Sequence, residues 1–198
     1  MRKMLLLFSA LMVGFFALAD EGALIAMQRV ARYVESLGRY RVDFTLKSGD
    51  FSAKGYYCVD GDAYYMNLGS AEIYSDGKTR YEVDHDRKEV NIDVVDLSSH
   101  NILDNPTRCF DFVGSDYNVA SRAVAAERVE FSLTSRKRET EGIIRVFANV
   151  KTGAPLALQY ELYDEVVKVD ILSIDKSKEP VISYRASNFR GYEIIDFR

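Results

Sequence analysis

Tyr40-Arg41-Val42-Asp43-Phe44-Thr45-Leu46-Lys47-Ser48-Gly49-Asp50 decides the architecture. Its aromatic and aliphatic residues alternate with Arg41, Asp43 and Thr45, the period-two signature of a strand with one buried face, and Lys47 to Asp50 reads as its hairpin turn. The same pattern recurs downstream. Phe51 to Val59 and Ala63 to Leu68 flank Asp60-Gly61-Asp62, Ile73-Tyr74 leads into Asp76-Gly77, and Arg80 to Val83 and Val90-Ile92-Val94 flank the polar run Asp84 to Lys88. Val129-Phe131-Leu133, Ile144-Val146-Ala148-Val150, Leu156-Leu158-Tyr160-Leu162 and Val167-Val169-Ile171 alternate in turn. Their turns fall at Arg136–Glu141, Lys151-Thr152-Gly153 and Asp164-Glu165, and Tyr192 to Phe197 reads as a last edge strand.

Two stretches do not alternate. Leu24, Met27, Val30, Ala31, Val34 and Leu37 recur at helical spacing between Asp20, a candidate N-cap, and Gly38. Leu97 to Val113 suits a short helix and irregular chain, since Pro106 can continue neither ladder. About ten to eleven antiparallel strands with one apolar face need a cover. The sheet can close on itself or fold into a sandwich, or it can curl around the two helical segments as an incomplete barrel. Two isolated helical segments beside one long sheet favour the incomplete barrel. No linker or fixed-period repeat divides the chain, so residues 20–198 read as one domain.

Residues 1–19 read as a cleaved signal peptide. Arg2 and Lys3 supply the positive end, Met4 to Leu18 is the apolar run, and Ala17-Leu18-Ala19 is an A-x-A cleavage site. The run falls short of the ~20 residues that span a bilayer and is followed at once by Asp20 and Glu21, which weighs against a retained anchor. Export into an oxidising compartment, most simply a periplasm, is the expectation.

Composition excludes several classes. A 198-residue chain that is 47% hydrophobic is not disordered, and two Cys can build neither a disulfide scaffold nor a four-Cys zinc site. A net charge of −4 without a basic stripe offers nucleic acid no electrostatic footprint. Arg136-Lys137-Arg138, interrupted by Glu139 and Glu141, reads as a solvated hairpin. No catalytic, metal or cofactor site is expected: Ser98-Ser99-His100 and Asp84-His85-Asp86 are the only His-containing candidates, and sequence neighbours in a loop point apart, so both read as solvated. Cys58 and Cys109 admit two readings. One is a disulfide closing a loop of about 50 residues, worth ~4 kcal/mol; the other is two buried thiols. The 13 Tyr, many on strands, must set rings against apolar surroundings while their hydroxyls seek partners, in a core or around an apolar cavity for acyl chains.

Glu72-Ile73-Tyr74-Ser75-Asp76-Gly77-Lys78-Thr79-Arg80-Tyr81-Glu82-Val83-Asp84, running on to Lys88-Glu89-Val90, resembles the signature of the LolA-like outer-membrane lipoprotein carrier family. The signal peptide, the first helix, Gly55-Tyr56-Tyr57, Asn105-Pro106 after the sixth strand, and the Tyr192 to Arg198 ending are similar in order and spacing, the ending to the Bacteroidetes-type branch. The resemblance implies an incomplete antiparallel β-barrel lidded by helices. It also implies a non-enzymatic periplasmic chaperone that takes acylated lipoproteins from an inner-membrane lipoprotein-releasing ABC transporter to an outer-membrane acceptor, with a monomer expected. The family's Arg-Pro pair after the second strand, whose Arg ties the lid down, is replaced by Val59-Asp60-Gly61-Asp62, and its Trp after the D-G-K-T turn by Tyr81.

Strand parity then assigns the acyl-binding face to Val42, Phe44, Tyr81, Val83 and Ile92 in the first half of the sheet. Val129, Phe131, Val146, Leu158 and Val169 continue it in the second half. The lid carries Met27, Val30 and Val34 on the helix, and Ile102, Leu103 and Phe110 beyond the sixth strand. An envelope lipid-binding or sensor module on the same half-barrel, without lipoprotein transfer, is the alternative reading.

Overall fold

Helix α1 (Glu21–Glu35) turns Ala23, Met27, Val30, Ala31 and Val34 inward at the spacing the sequence predicts. The computed structural model describes residues 21–111, 117–136, 142–163 and 165–198. The leader, Asp20, Phe112, Val113, Asp164 and most of the Arg136–Glu141 turn lie outside the described residues.

Twelve strands follow: β1 (Tyr40–Ser48), β2 (Phe51–Asp60), β3 (Ala63–Leu68), β4 (Ala71–Ser75), β5 (Thr79–Asp84), β6 (Glu89–Val94), β7 (Tyr117–Ala125), β8 (Arg128–Ser135), β9 (Ile143–Asn149), β10 (Pro155–Leu162), β11 (Glu165–Lys176) and β12 (Glu193–Asp196). They form one sheet in the order β12-β6-β5-β4-β3-β2-β1-β11-β10-β9-β8-β7. Neighbours are antiparallel except β12, which pairs in parallel with β6. β7 and β12 are the two edges, so the sheet does not close. β1 pairs with both β2 and β11 and joins the two halves. This is the incomplete barrel rather than the closed one, and it holds a strand more than the alternation predicts.

The sheet curls because side chains from β1 to β4 and from β7 to β11 share one core with α1. Tyr40, Val42, Phe44 and Leu46 all point into it, as the alternation of β1 requires. Gly55 sits opposite Phe44 in the ladder. A Cβ there would stand 3.0 Å from the Phe44 ring and 2.6 Å from the Asn67 carbonyl, so the bare backbone is what lets the ring lie across β2. Where β1 meets β11 a bulge opens between Asp43 and Phe44, leaving Leu172 out of the pairing and 59% exposed.

A second core lies on the opposite, convex face. Tyr65, Tyr74, Val83, Val90, Ile92 and Phe189 form it, with Tyr56, Tyr81, Val181, Tyr184 and Tyr192 packed around them. The chain after β11 crosses this face, and Tyr184 stacks on Tyr81 at 4.1 Å and on Phe189 at 5.4 Å.

Candidate functional site

The cover of the concave face is α1 plus residues 97–111. The sequence reading allows a short helix there; the chain instead makes consecutive turns, because its own polar side chains cap them. Asn101 Oδ1 accepts from the Leu103 amide at 3.0 Å, and Asn105 Oδ1 accepts from the Thr107 hydroxyl at 2.6 Å. Asn105 is buried and its amide donates to the Asp96 carbonyl at 3.2 Å.

Four tyrosines of the sheet hold this cover from opposite walls of the barrel. Tyr64 donates to the Asp104 carbonyl at 2.9 Å. Tyr160 donates to the His100 carbonyl at 3.2 Å and accepts from the Ile102 amide at 2.9 Å. The Cys109 thiol donates to the Pro106 carbonyl at 3.1 Å, so the Tyr57 hydroxyl, 3.7 Å away, donates to its sulfur. His100 lies 2.9 Å from the Asp111 carbonyl through Nε2, which must therefore carry the proton, and Nδ1 accepts from Tyr117 at 3.3 Å. Burial lowers the His100 pKa, raises those of Tyr57 and Tyr160, and pushes the Cys109 thiol up to about 12, so the latch is built from neutral groups. These tyrosines tie the cover to the sheet. Inward parity on β2, β3 and β10 is the signal that marks Tyr57, Tyr64 and Tyr160; Tyr117 starts β7, the strand that the alternation missed.

Thirteen of the sixteen parity-assigned residues meet under this cover. Val42, Phe44, Phe131, Val146, Leu158 and Val169 are buried there with Met27, Val30, Val34, Ile102 and Phe110, and Val129 and Leu103 pack against them. Tyr81, Val83 and Ile92 do not. Ile73, which faces the concave core, pairs with Glu82, so β5 turns Arg80, Glu82 and Asp84 to that side and its apolar residues to the convex one. Alternation tells which side of a strand is apolar, not which face of the sheet that side joins. The cover supplied by Val181, Tyr184 and Phe189 inverts the assignment at β5 and β6.

The disulfide reading is also corrected. Cys58 pairs with Arg41 on the convex side and Cys109 is buried in the concave core, so the sheet separates two free thiols. Both histidines lie in turn or loop segments as the sequence places them, but each has tertiary partners: His100 is buried and His85 is partly exposed. His85 Nε2 lies 3.0 Å from Glu72 Oε2, and Nδ1 lies 2.9 Å from the Tyr192 hydroxyl. Glu72 accepts further from Tyr65 and Tyr74; burial opposes its charge, but these hydrogen bonds outweigh it and hold the carboxyl below the usual range. This network ties the chain around Tyr192 to the convex face, on the side of the sheet away from the cover. Among the described residues no three His, Cys, Asp or Glu gather as a metal site requires.

The convex face of β7 to β10 is polar. Glu130, 2% exposed, accepts from Arg122 and Arg145 at 2.7 Å each, and Arg145 also bonds Glu161. Burial pushes the Glu130 carboxyl up, but the two guanidinium groups outweigh it and keep it below the usual range. A depressed folded pKa contributes stability above the unfolded value of about 4.3 and loses it as pH falls through the folded pKa. Glu130→Gln is therefore expected to cost about 1–2 kcal/mol near neutral pH and less at about pH 3, below the unfolded value, where the charge contribution is being lost. Urea unfolding at the two pH values measures it; an equal cost at both would refute the charge account.

Two clefts open under the cover. One, of about 200 Å³, is lined by Ser98, Ser99, His100, Tyr117, Ile144 and Tyr160 among others. The other, of about 70 Å³, lies between Ala26 and Val30 of α1 and Val129, Phe131, Ala148 and Val150 of the sheet. A third, of about 270 Å³, lies on the convex side beside Tyr74, Tyr81 and Tyr184. Each is smaller than the ~300–1,000 Å³ typical of ligand pockets.

An unclosed sheet with an apolar concave face, covered by one helix and a tied turn segment, defines a lidded half-barrel. Among solved structures the chain is similar to an uncharacterized conserved protein from Thermus thermophilus, at 7% identity and TM-score 0.54 over 85% of this chain and 98% of that one. That likeness is one of fold. It is also similar to a LolA superfamily protein from Nitrosomonas europaea, at 10% identity and TM-score 0.43 over 80% and 94% of the two chains. A putative outer membrane lipoprotein-sorting protein domain from Vibrio parahaemolyticus gives 8% identity and TM-score 0.45 over 86% and 97%. Comparison with family models and with curated proteins finds no match.

Proposed function

We propose that residues 20–198 form an exported, non-enzymatic carrier that binds the acyl chains of lipoproteins on the concave face and moves them from the inner to the outer membrane of the envelope. The observation that carries the reading is a continuous apolar face whose cover is a separate, tied piece. Seven parity-assigned sheet residues and all six lid residues belong to that one core. Burying an acyl chain of about 14 methylenes is worth about 11 kcal/mol. The ties from Tyr57, Tyr64, Tyr117 and Tyr160 contribute about 0.5–1.5 kcal/mol each, so acyl burial can offset their opening. The same arithmetic makes release depend on an acceptor with a better apolar site. In this reading the partners are acylated lipoproteins, an inner-membrane lipoprotein-releasing ABC transporter and an outer-membrane acceptor, and the carrier works as a monomer after its leader is removed.

The test is native mass spectrometry of the exported protein purified from periplasm. Co-purified diacylated or triacylated polypeptide is the expected result. Bound lipid without polypeptide moves the reading to a lipid carrier or sensor. A clean apo mass, with no binding of an acylated peptide on titration, sinks the acyl-chain reading.

A further inference from the structure

Two of the clefts meet the same strand. On the concave side of β9 the side chains run Ile144, Val146 and Ala148, with Val150 just beyond its end. Ile144 lines the 200 Å³ cleft, and Ala148 and Val150 line the 70 Å³ one. Along the strand only Val146 separates them, and its cross-strand partner Phe131 already lines the smaller cleft. From Ile144 to Val150 the strand direction covers about 20 Å. A lipid chain occupies about 15 Å, half of a ~30 Å hydrocarbon core.

The two ends differ in chemistry. The mouth beside Ile144 is polar: Asp96, Ser98, Ser99 and Asn101 line it, the two hydroxyls donating to the Asp96 and Asp104 carboxylates. The end beside Ala148 is built from Ala26, Val30, Val129, Phe131 and Val150, with Arg29 and Asn149 at its rim. Burying an ester or amide link without a partner costs about 1–3 kcal/mol, whereas a terminal methyl pays nothing for leaving water. That difference sets the direction.

We infer that one acyl chain, joined by an ester or amide to a polar head, lies along β9 between these clefts, with its head at Ser98 to Asn101 and its terminal methyl at Ala148 to Val150. This rests on the acyl-carrier reading and adds to it the path and the polarity of one of the cargo's chains. Because each cleft is small, the chain takes its place by shifting Val146 and the cover above it.

Photo-crosslinking of the whole exported protein tests the path without altering the fold. Two probes are used, an N-hexadecanoyl cysteinyl-serine peptide and hexadecanoyl lysophosphatidylglycerol, each with a diazirine either at the terminal carbon or next to the carbonyl. The terminal diazirine is expected to label the tryptic peptide Val146–Lys151, and the carbonyl-proximal one Glu89–Arg108. Labelling from the peptide probe, the phospholipid probe or both supports the path and identifies the source of the chain. Saturable binding with reversed or evenly spread labelling overturns the path and leaves the carrier reading standing. No binding of either probe overturns both.

Discussion

Replacing Tyr64 and Tyr160 together by Phe is expected to release the cover while leaving the sheet folded. Tyr160→Phe strands the amide of the buried Ile102 and the carbonyl of the buried His100, and Tyr64→Phe removes the bond to the carbonyl of the exposed Asp104. A buried polar group left without its partner costs about 1–3 kcal/mol, and the rings themselves stay in place. The loss, about 2–5 kcal/mol, falls on the cover because the phenyl rings still fill the core. Amide hydrogen exchange at Ile102 and Asn105 is expected to rise about a hundredfold or more, with β1 and β11 unchanged. In the carrier reading, acyl uptake quickens in the same variant. Unchanged exchange in the cover would show that apolar packing of Ile102 and Phe110, not the tyrosine latch, keeps it down.

Phe44→Ala is expected to be the most damaging single truncation, at about 3–5 kcal/mol. Phe44 is fully buried at the junction of the two half-sheets, with its ring 6.1 Å from that of Tyr57 and against the bare Cα of Gly55. Gly55 has no side chain to move into the space, so the cavity persists and its full cost is felt. Urea unfolding is expected to show a lower midpoint with an unchanged slope. Leu172→Ala, at the exposed bulge on β11, is the contrast and is expected within about 0.5 kcal/mol of the parent. Similar losses from the two would mean that the sheet has no single central core.

Local chemistry made much of this fold legible in the chain. The turn at Asp76 is written in its own residues: Asp76 Oδ1 accepts from the Lys78 and Thr79 amides at 2.9 and 2.8 Å, and Gly77 takes a positive φ. Strand alternation and the helix period likewise act over a few residues, and they located α1, the sheet and most of its inward face. Three things depended on partners far away in the chain. β5 and β6 present Tyr81, Val83 and Ile92 to the convex face because the segment around Tyr184 and Phe189, about 100 residues later, covers that side. Cys58 and Cys109 are kept apart by the sheet between them, which spacing alone cannot express. His85 and His100, each placed by sequence in a loop, gain Glu72, Tyr192, Tyr117 and the Asp111 carbonyl as partners through tertiary contact. Which side of each element is apolar is a property of neighbouring residues and can be read along the chain. Tertiary structure decided which face each apolar side joins and what ties the cover to it, because both depend on hydrogen bonds and packing between segments that meet only when the sheet curls.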